Sequence, residues 1–300
     1  MAANEQLDGQ IEKSYIDCGG ITLHVITAGP ADGDPVLLLH GFPEFWYGWR
    51  HQIAPLAAAG LRVIAPDQRG YNLSDKPAEI AAYTLDLLAR DIVNLIAALG
   101  YERVHIVGHD WGAAVAWELA EMHAPQLKSL SILNVPHTRV TEQALRGGSF
   151  AQIRKSRYML LLQLRGIAER RLQSNDFAPL INGFLRKSAP GTFRDDEIAM
   201  YREAWSQPGA LTGMLSWYRA ASIGARKRGD RPEPRITVPT QILWGAQDAF
   251  VEKHLAEESV ALCEDAKLTF FPDAGHFVQH EQPAAINQHV IDHLRAHGGN

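Results

Sequence analysis

The sequence predicts an α/β fold in which a mostly parallel central sheet is flanked by helices and interrupted by an inserted helical segment. Three observations carry this expectation. Short β-branched, apolar runs alternate with helical patterns up to about residue 136, a stretch without a convincing strand follows from 137 to 236, and the alternation returns from 237. Strand–helix alternation of this kind builds a parallel sheet covered on both faces, because each crossover must pass over the sheet. The expected division is a core of residues 1–136 and 237–300, with residues 137–236 as a helical cap.

In chain order, "IEKSYID" and "ITLHVITA" alternate around "CGG" and read as a hairpin. "PVLLLH" is a continuous apolar run of the buried parallel-strand type, followed by an aromatic loop and by "RHQIAPLAAAG", which has helical spacing and a terminal glycine. Strand and helix patterns then succeed one another: "LRVIAPD", the amphipathic "YTLDLLARDIVNLIAALG", "RVHIVG", a helix after Asp110, and "LKSLSILN". In the cap, "RYMLLLQLRGIAERRL" and "RDDEIAMYREAWSQPGALTGMLSWYRAAS" carry helical spacing. "VPTQILWG" and "AKLTFF" complete the strands, and a last helix begins at Pro283.

Composition excludes several classes. With 300 residues, 46% of them hydrophobic and 21% charged, the chain is long enough for one large core and is not of a disordered type. A net charge of -5 leaves no basic footprint for nucleic acid. No apolar run approaches the roughly 18 residues of a membrane span, and the first residues have no apolar leader pattern, so no membrane partner is expected. Cys18 and Cys263 make neither a disulfide framework nor a metal-ligand spacing, which suits a reducing, cytoplasmic setting. The cap holds 18 Lys and Arg against 9 Asp and Glu, a basic excess read as a solvated face. "RKRGDRPEPR", at 226–235, reads as a solvated linker back into the core, and His289, His293 and His297 as a solvated helix face rather than a metal site. No cofactor and no metal are expected, and no interface pattern decides between monomer and homodimer.

The chemistry centres on Gly108-His109-Asp110-Trp111-Gly112. Its frame is that of G-x-S-x-G, in which small residues let the chain double back between a strand and a helix and push one side chain out of the turn. Here a carboxylate stands where that pattern has serine. The acid and the histidine of such a site follow in chain order, and "ILWGAQDAFV" supplies Asp248 while "FPDAGHFVQHEQP" supplies His276, both in loops after strands. Loops at the carboxyl ends of parallel strands open on one edge of the sheet, so the three side chains can converge. Asn134 lies in another such loop, but an amide cannot stabilise an imidazolium by charge, and the acid role falls to Asp248. The backbone amides of Trp111 and Phe42 are the candidate oxyanion donors.

"HGFPE" (40–44), "DQRGYNLSDKP" (67–77), "GHDWG" (108–112), "WGAQD" (244–248) and "GH" (275–276), with "MLSWYRA" (214–220) in the cap, resemble the epoxide hydrolases of the α/β-hydrolase fold. The resemblance spans nearly the whole chain and implies that fold, a small hydrophobic epoxide as substrate, and a role in detoxification. It also explains the aspartate. A serine attacks a carbonyl that its substrate already has, whereas a carboxylate attacks a saturated carbon and makes its own ester carbonyl, which water activated by His276 then hydrolyses. The resemblance implies two proton-donating cap tyrosines, matched by Tyr218 in "SWYRA" and by Tyr158 in "SRYMLLLQL", the latter lacking the usual flanking aromatics. It also implies Glu44 as a carboxylate that helps hold the hydrolytic water, with a solvated loop glutamate as the alternative. Trp46, Tyr47 and Trp49 either line the pocket or pack beneath the cap. Haloalkane and haloacid dehalogenases share the Asp-His-Asp arrangement, but haloalkane enzymes usually carry Asn where this chain has Phe42, and fluoroacetate enzymes Arg where it has Trp111. A ligand-binding relative without chemistry is the third reading.

Overall fold

The computed structural model describes residues 9–228 and 234–298, so half of the basic stretch at 226–235 lies outside the described residues. Eight strands form one sheet: β1 (Ile11–Asp17), β2 (Thr22–Ala28), β3 (Asp34–Leu39), β4 (Leu61–Pro66), β5 (Val104–His109), β6 (Leu127–Leu133), β7 (Thr240–Gly245) and β8 (Ala266–Phe271). Their spatial order is β1-β2-β4-β3-β5-β6-β7-β8. The hairpin pairs antiparallel from Ile11 opposite Ala28 to Asp17 opposite Thr22, β2 runs antiparallel to β4, and every later pairing is parallel.

The central strands are almost wholly buried because helices cover both of their faces. Leu37, Leu38 and Leu39 of β3 are fully buried, and each such leucine contributes about 2 kcal/mol relative to an exposed one. The helix Trp111–Met122 packs across β3, β5 and β6, and its buried alanines let it lie close against the strands. The helix Leu85–Ala98 buries one stripe, from Leu85 through Leu88, Ile92 and Leu95, as its amphipathic spacing requires.

Between β6 and β7 the described residues contain helices only. Both long patterns in this segment are divided. The first breaks after the helix Tyr158–Leu162 and restarts at Ile167, with Gly166 at φ 72° in the turn. The second breaks at Gln207-Pro208-Gly209, between the helices Asp195–Ser206 and Ala210–Arg228. In each case a glycine in the left-handed region lets the chain turn where hydrophobic spacing alone runs on.

Candidate active site

The elbow forms because two glycines leave room for it. Asp110 sits between the end of β5 and the first turn of the next helix at φ 51°, ψ -123°, a strained conformation for a residue with a side chain. A Cβ on Gly108 would lie 2.6 Å from the Gly112 carbonyl oxygen and 2.8 Å from the Ala113 Cα, and one on Gly41 would run into the Asp110 carboxylate. The facing loop after β3 therefore approaches closely enough for the Phe42 amide to donate to Asp110 Oδ1 at 2.6 Å. Trp111 is the first residue of the following helix, so its amide belongs to the positive end of that helix.

The loops after β7 and β8 bring Asp248 and His276 to the same edge. His276 Nδ1 donates to Asp248 Oδ2 at 2.7 Å, and its Nε2 faces Asp110 Oδ2 at 3.4 Å. Burial alone would lower the imidazole, but the carboxylates of Asp248 and Asp110 on either side raise it to about 10. Burial opposes the Asp110 charge as well, yet His276 and the Phe42 amide hold its carboxyl below the usual range. Asp248 is oriented from all sides: Oδ1 accepts from the Phe250 and Val251 amides at 2.7 and 2.9 Å, and Oδ2 also accepts from Asn134 Nδ2 at 2.8 Å. Asn134 itself is fixed at φ 54° by exchanging bonds with the Gly245 backbone. The sequence reading excluded Asn134 as the acid but missed its service to the acid. From the helical segment, Lys155 Nζ donates to the Asp248 carbonyl at 2.7 Å and pins the acid loop from above.

Asp110, Trp111, His276, Tyr158, Tyr218 and Phe250 all line one cavity of about 320 Å³, whose remaining wall is mainly apolar. Tyr218 stands edge-on to Trp111 and Phe42 at 5.1 and 5.2 Å between ring centres. Tyr158 stands beside it, with 6.2 Å between the ring centres. Burial and the nearby Asp110 charge push both phenols upward, so each keeps its proton at neutral pH.

Other expectations are corrected. Glu44 is neither solvated nor among the residues lining the cavity, but buried behind the site. Its amide closes a tight turn onto the Gly41 carbonyl at 2.9 Å, which carries the side chain away from the cavity. There Oε1 accepts from the Tyr201 hydroxyl and His280 Nε2, both at 2.7 Å, and Oε2 accepts from Gln279 Nε2 at 3.0 Å and faces His109 Nδ1 at 3.4 Å. Burial opposes its charge, but His280 and His109 hold the carboxyl well below the usual range. His109 Nε2 donates to the His276 carbonyl at 2.9 Å, linking this cluster to the site. No local pattern announces the cluster, because its members come from distant segments. Trp46, Tyr47 and Trp49 are buried packing residues and do not line the cavity. His293 is not on a solvated face: burial and the neighbouring His297, 4.7 Å away between ring centres, lower it to about 4.

Sheet order, elbow and facing loops define the class first: a protein of the α/β-hydrolase fold. The family model described as alpha/beta hydrolase fold matches residues 34–283. Among curated relatives, the AB hydrolase superfamily protein YfhM of Bacillus subtilis is 44% identical, covering 96% of this chain and 99% of its own length. Epoxide hydrolase 2 of Caenorhabditis elegans is 36% identical, covering 92% of this chain and 78% of its own length. A crystal structure of the Bacillus megaterium epoxide hydrolase in complex with an inhibitor superposes with a TM-score of 0.85 at 30% identity, covering 94% of this chain and all of that one. The chain belongs to the epoxide hydrolase family of the α/β-hydrolase fold.

Proposed function

We propose that this hydrolase opens small hydrophobic epoxides to vicinal diols through an ester on Asp110. The observation that carries the reading is the joint presence, in one largely apolar cavity, of an ionised carboxylate at a strained elbow, an imidazole 3.4 Å from it, and two neighbouring phenols that keep their protons. An epoxide oxygen leaves as a strongly basic alkoxide and needs a proton, which a phenol of ordinary pKa about 10 can donate within a closed site. Asp110 attacks a ring carbon while Tyr218 or Tyr158 protonates the oxygen, and the C–O bond breaks. His276 then takes a proton from water, and the hydroxide adds to the Asp110 carbonyl carbon. The oxyanion so formed is stabilised by the Phe42 and Trp111 amides. Its collapse returns Asp110 as a carboxylate and releases the diol, with the water supplying one oxygen and two protons overall.

The same proposal reads residues 137–236 as a cap closing over the core of residues 1–136 and 237–300. Support comes from bonds across that division: Trp205 Nε1 to the Pro43 carbonyl at 2.6 Å, Trp217 Nε1 to the Arg69 carbonyl at 2.9 Å, and Arg50 Nε to Glu197 Oε1 at 2.9 Å. Cytoplasmic residence and removal of reactive epoxides belong to this reading, supported by two free cysteines far apart in the chain. In this reading Glu44 helps to hold the hydrolytic water from its buried place beside His109.

The test compares leaving groups. Diol formation from styrene oxide should fall about 10² to 10⁴-fold in Tyr158→Phe/Tyr218→Phe, the range for loss of general acid catalysis. A wild-type enzyme that ignores styrene oxide but releases halide from a haloalkane would move the site to the dehalogenase reaction.

A further inference from the structure

The helical segment over the site has an outer face that the proposed reaction does not use. Residues 150–156 and 158–162 are helical, and Arg157 between them keeps helical angles (φ -58°, ψ -27°), so 150–162 follows one helical path. At 100° per residue, Phe150, Ile153, Arg154, Arg157 and Leu160 fall on one side of it. All five are exposed, Phe150 by 81% and Leu160 by 73%, far more than large apolar side chains ordinarily are. The apolar surface continues beyond the helix through exposed Leu164 and Ile167. Interleaved with it, Arg154, Arg157, Arg165, Arg170 and Arg171 are exposed and make no ion pair among the described residues. The opposite side of the same helix carries Gln152 and Met159, which line the cavity together with Tyr158 at its flank.

An exposed apolar stripe edged by unpaired arginines matches the interface of a lipid surface with anionic headgroups: aliphatic and aromatic side chains enter the acyl boundary while guanidinium groups stay among the phosphates. The two signals act together, since neither a few apolar side chains nor a basic patch alone holds a protein at a bilayer. A second copy of this chain fits less well. A two-fold contact would set these arginines against their own equivalents. Charge distribution over the whole chain points the same way, because residues 137–236 carry the basic excess and the remainder is acidic, which turns this face toward an anionic surface.

We infer that the outer face of helix 150–162, continued by Leu164 and Ile167, docks peripherally on anionic lipid bilayers, with the substrate cavity directly beneath it. This amends the expectation of no membrane partner without invoking a span: no helix among the described residues is long and apolar enough to cross a membrane. The inference does not depend on the reaction assigned to the cavity.

The experiment is co-sedimentation of the full chain with large unilamellar vesicles, of phosphatidylcholine alone or mixed equally with phosphatidylglycerol. Pelleting with the anionic vesicles only, weakened by salt, is expected. Arg154→Glu/Arg157→Glu should lower the partition coefficient by at least about twenty-five-fold, since each basic side chain at an anionic surface contributes about fivefold. Phe150→Asp/Leu160→Asp should abolish pelleting, with unchanged thermal unfolding showing that the fold is intact. Absence of pelleting, or pelleting that neither variant weakens, overturns the inference. So does a dimer in light scattering that these variants dissociate, which would give the face to a second copy.

Discussion

Asp110 and His276 are a charged pair whose balance changes during the proposed cycle. In the free protein the imidazole lies between two carboxylates and is raised to about 10, so it is protonated at neutral pH and cannot yet serve as a base. Ester formation removes the Asp110 charge. One of the two upward influences then disappears, and the imidazolium can return its proton to the phenolate left by ring opening. His276 becomes a neutral base only when there is an ester to hydrolyse. His276→Gln should therefore complete the first half of the cycle and stop, giving an intact protein heavier by one substrate mass; undiminished turnover with no gain in mass would contradict this order of events. At this scale the sequence was most legible where chemistry and backbone coincide, as in Gly108 to Gly112. It was least legible for Asn134 and Glu44, whose roles depend on neighbours such as Asp248 and His280 that lie more than a hundred residues away.

At the scale of elements, the site depends on how closely the helix Trp111–Met122 meets the end of β3. A Cβ on Gly112 would collide with the Leu39 carbonyl and lie 2.6 Å from that of His40, both backbone groups that cannot swing aside. Gly112→Ala should cost about 2 kcal/mol or more of stability and, by moving the elbow, lower activity as well. Thermal unfolding of the variant checks this, and an unchanged midpoint would mean that the helix and β3 have slack the structure does not show. The inner strands were readable because burial on both faces leaves continuous apolar runs such as "PVLLLH". The helices over the site were not readable to their ends, since apolar spacing passes through Gly166 and Gly209 without a change of period.

On the scale of the whole molecule, a buried polar cluster ties the two parts together and sets the response to acid. Burial and Glu44 act oppositely on His280 and burial prevails, lowering it to about 4, where His293 also lies. Both are neutral in the fold, while in the unfolded chain they protonate near the ordinary value of about 6.5. Between these values the unfolded chain binds more protons, so the contribution of these two histidines is full above about pH 6.5 and declines as pH falls toward 4. The thermal midpoint should drop over that range, and less steeply in His280→Gln; a flat profile would show that the two histidines titrate normally in the fold. The helical character of the segment between β6 and β7 was legible from the missing strands there. The contacts between that segment and the rest, such as Arg50 to Glu197, join residues too far apart for any local pattern to pair them.

The central claim is that the oxygen first transferred to the substrate comes from Asp110. A single turnover of styrene oxide with excess enzyme in oxygen-18 water, followed by mass analysis of the diol, tests it directly. Unlabelled diol from that first turnover, with label appearing in the protein at Asp110, is the expected result; diol that carries the label at once would mean direct attack by water and would contradict the ester mechanism.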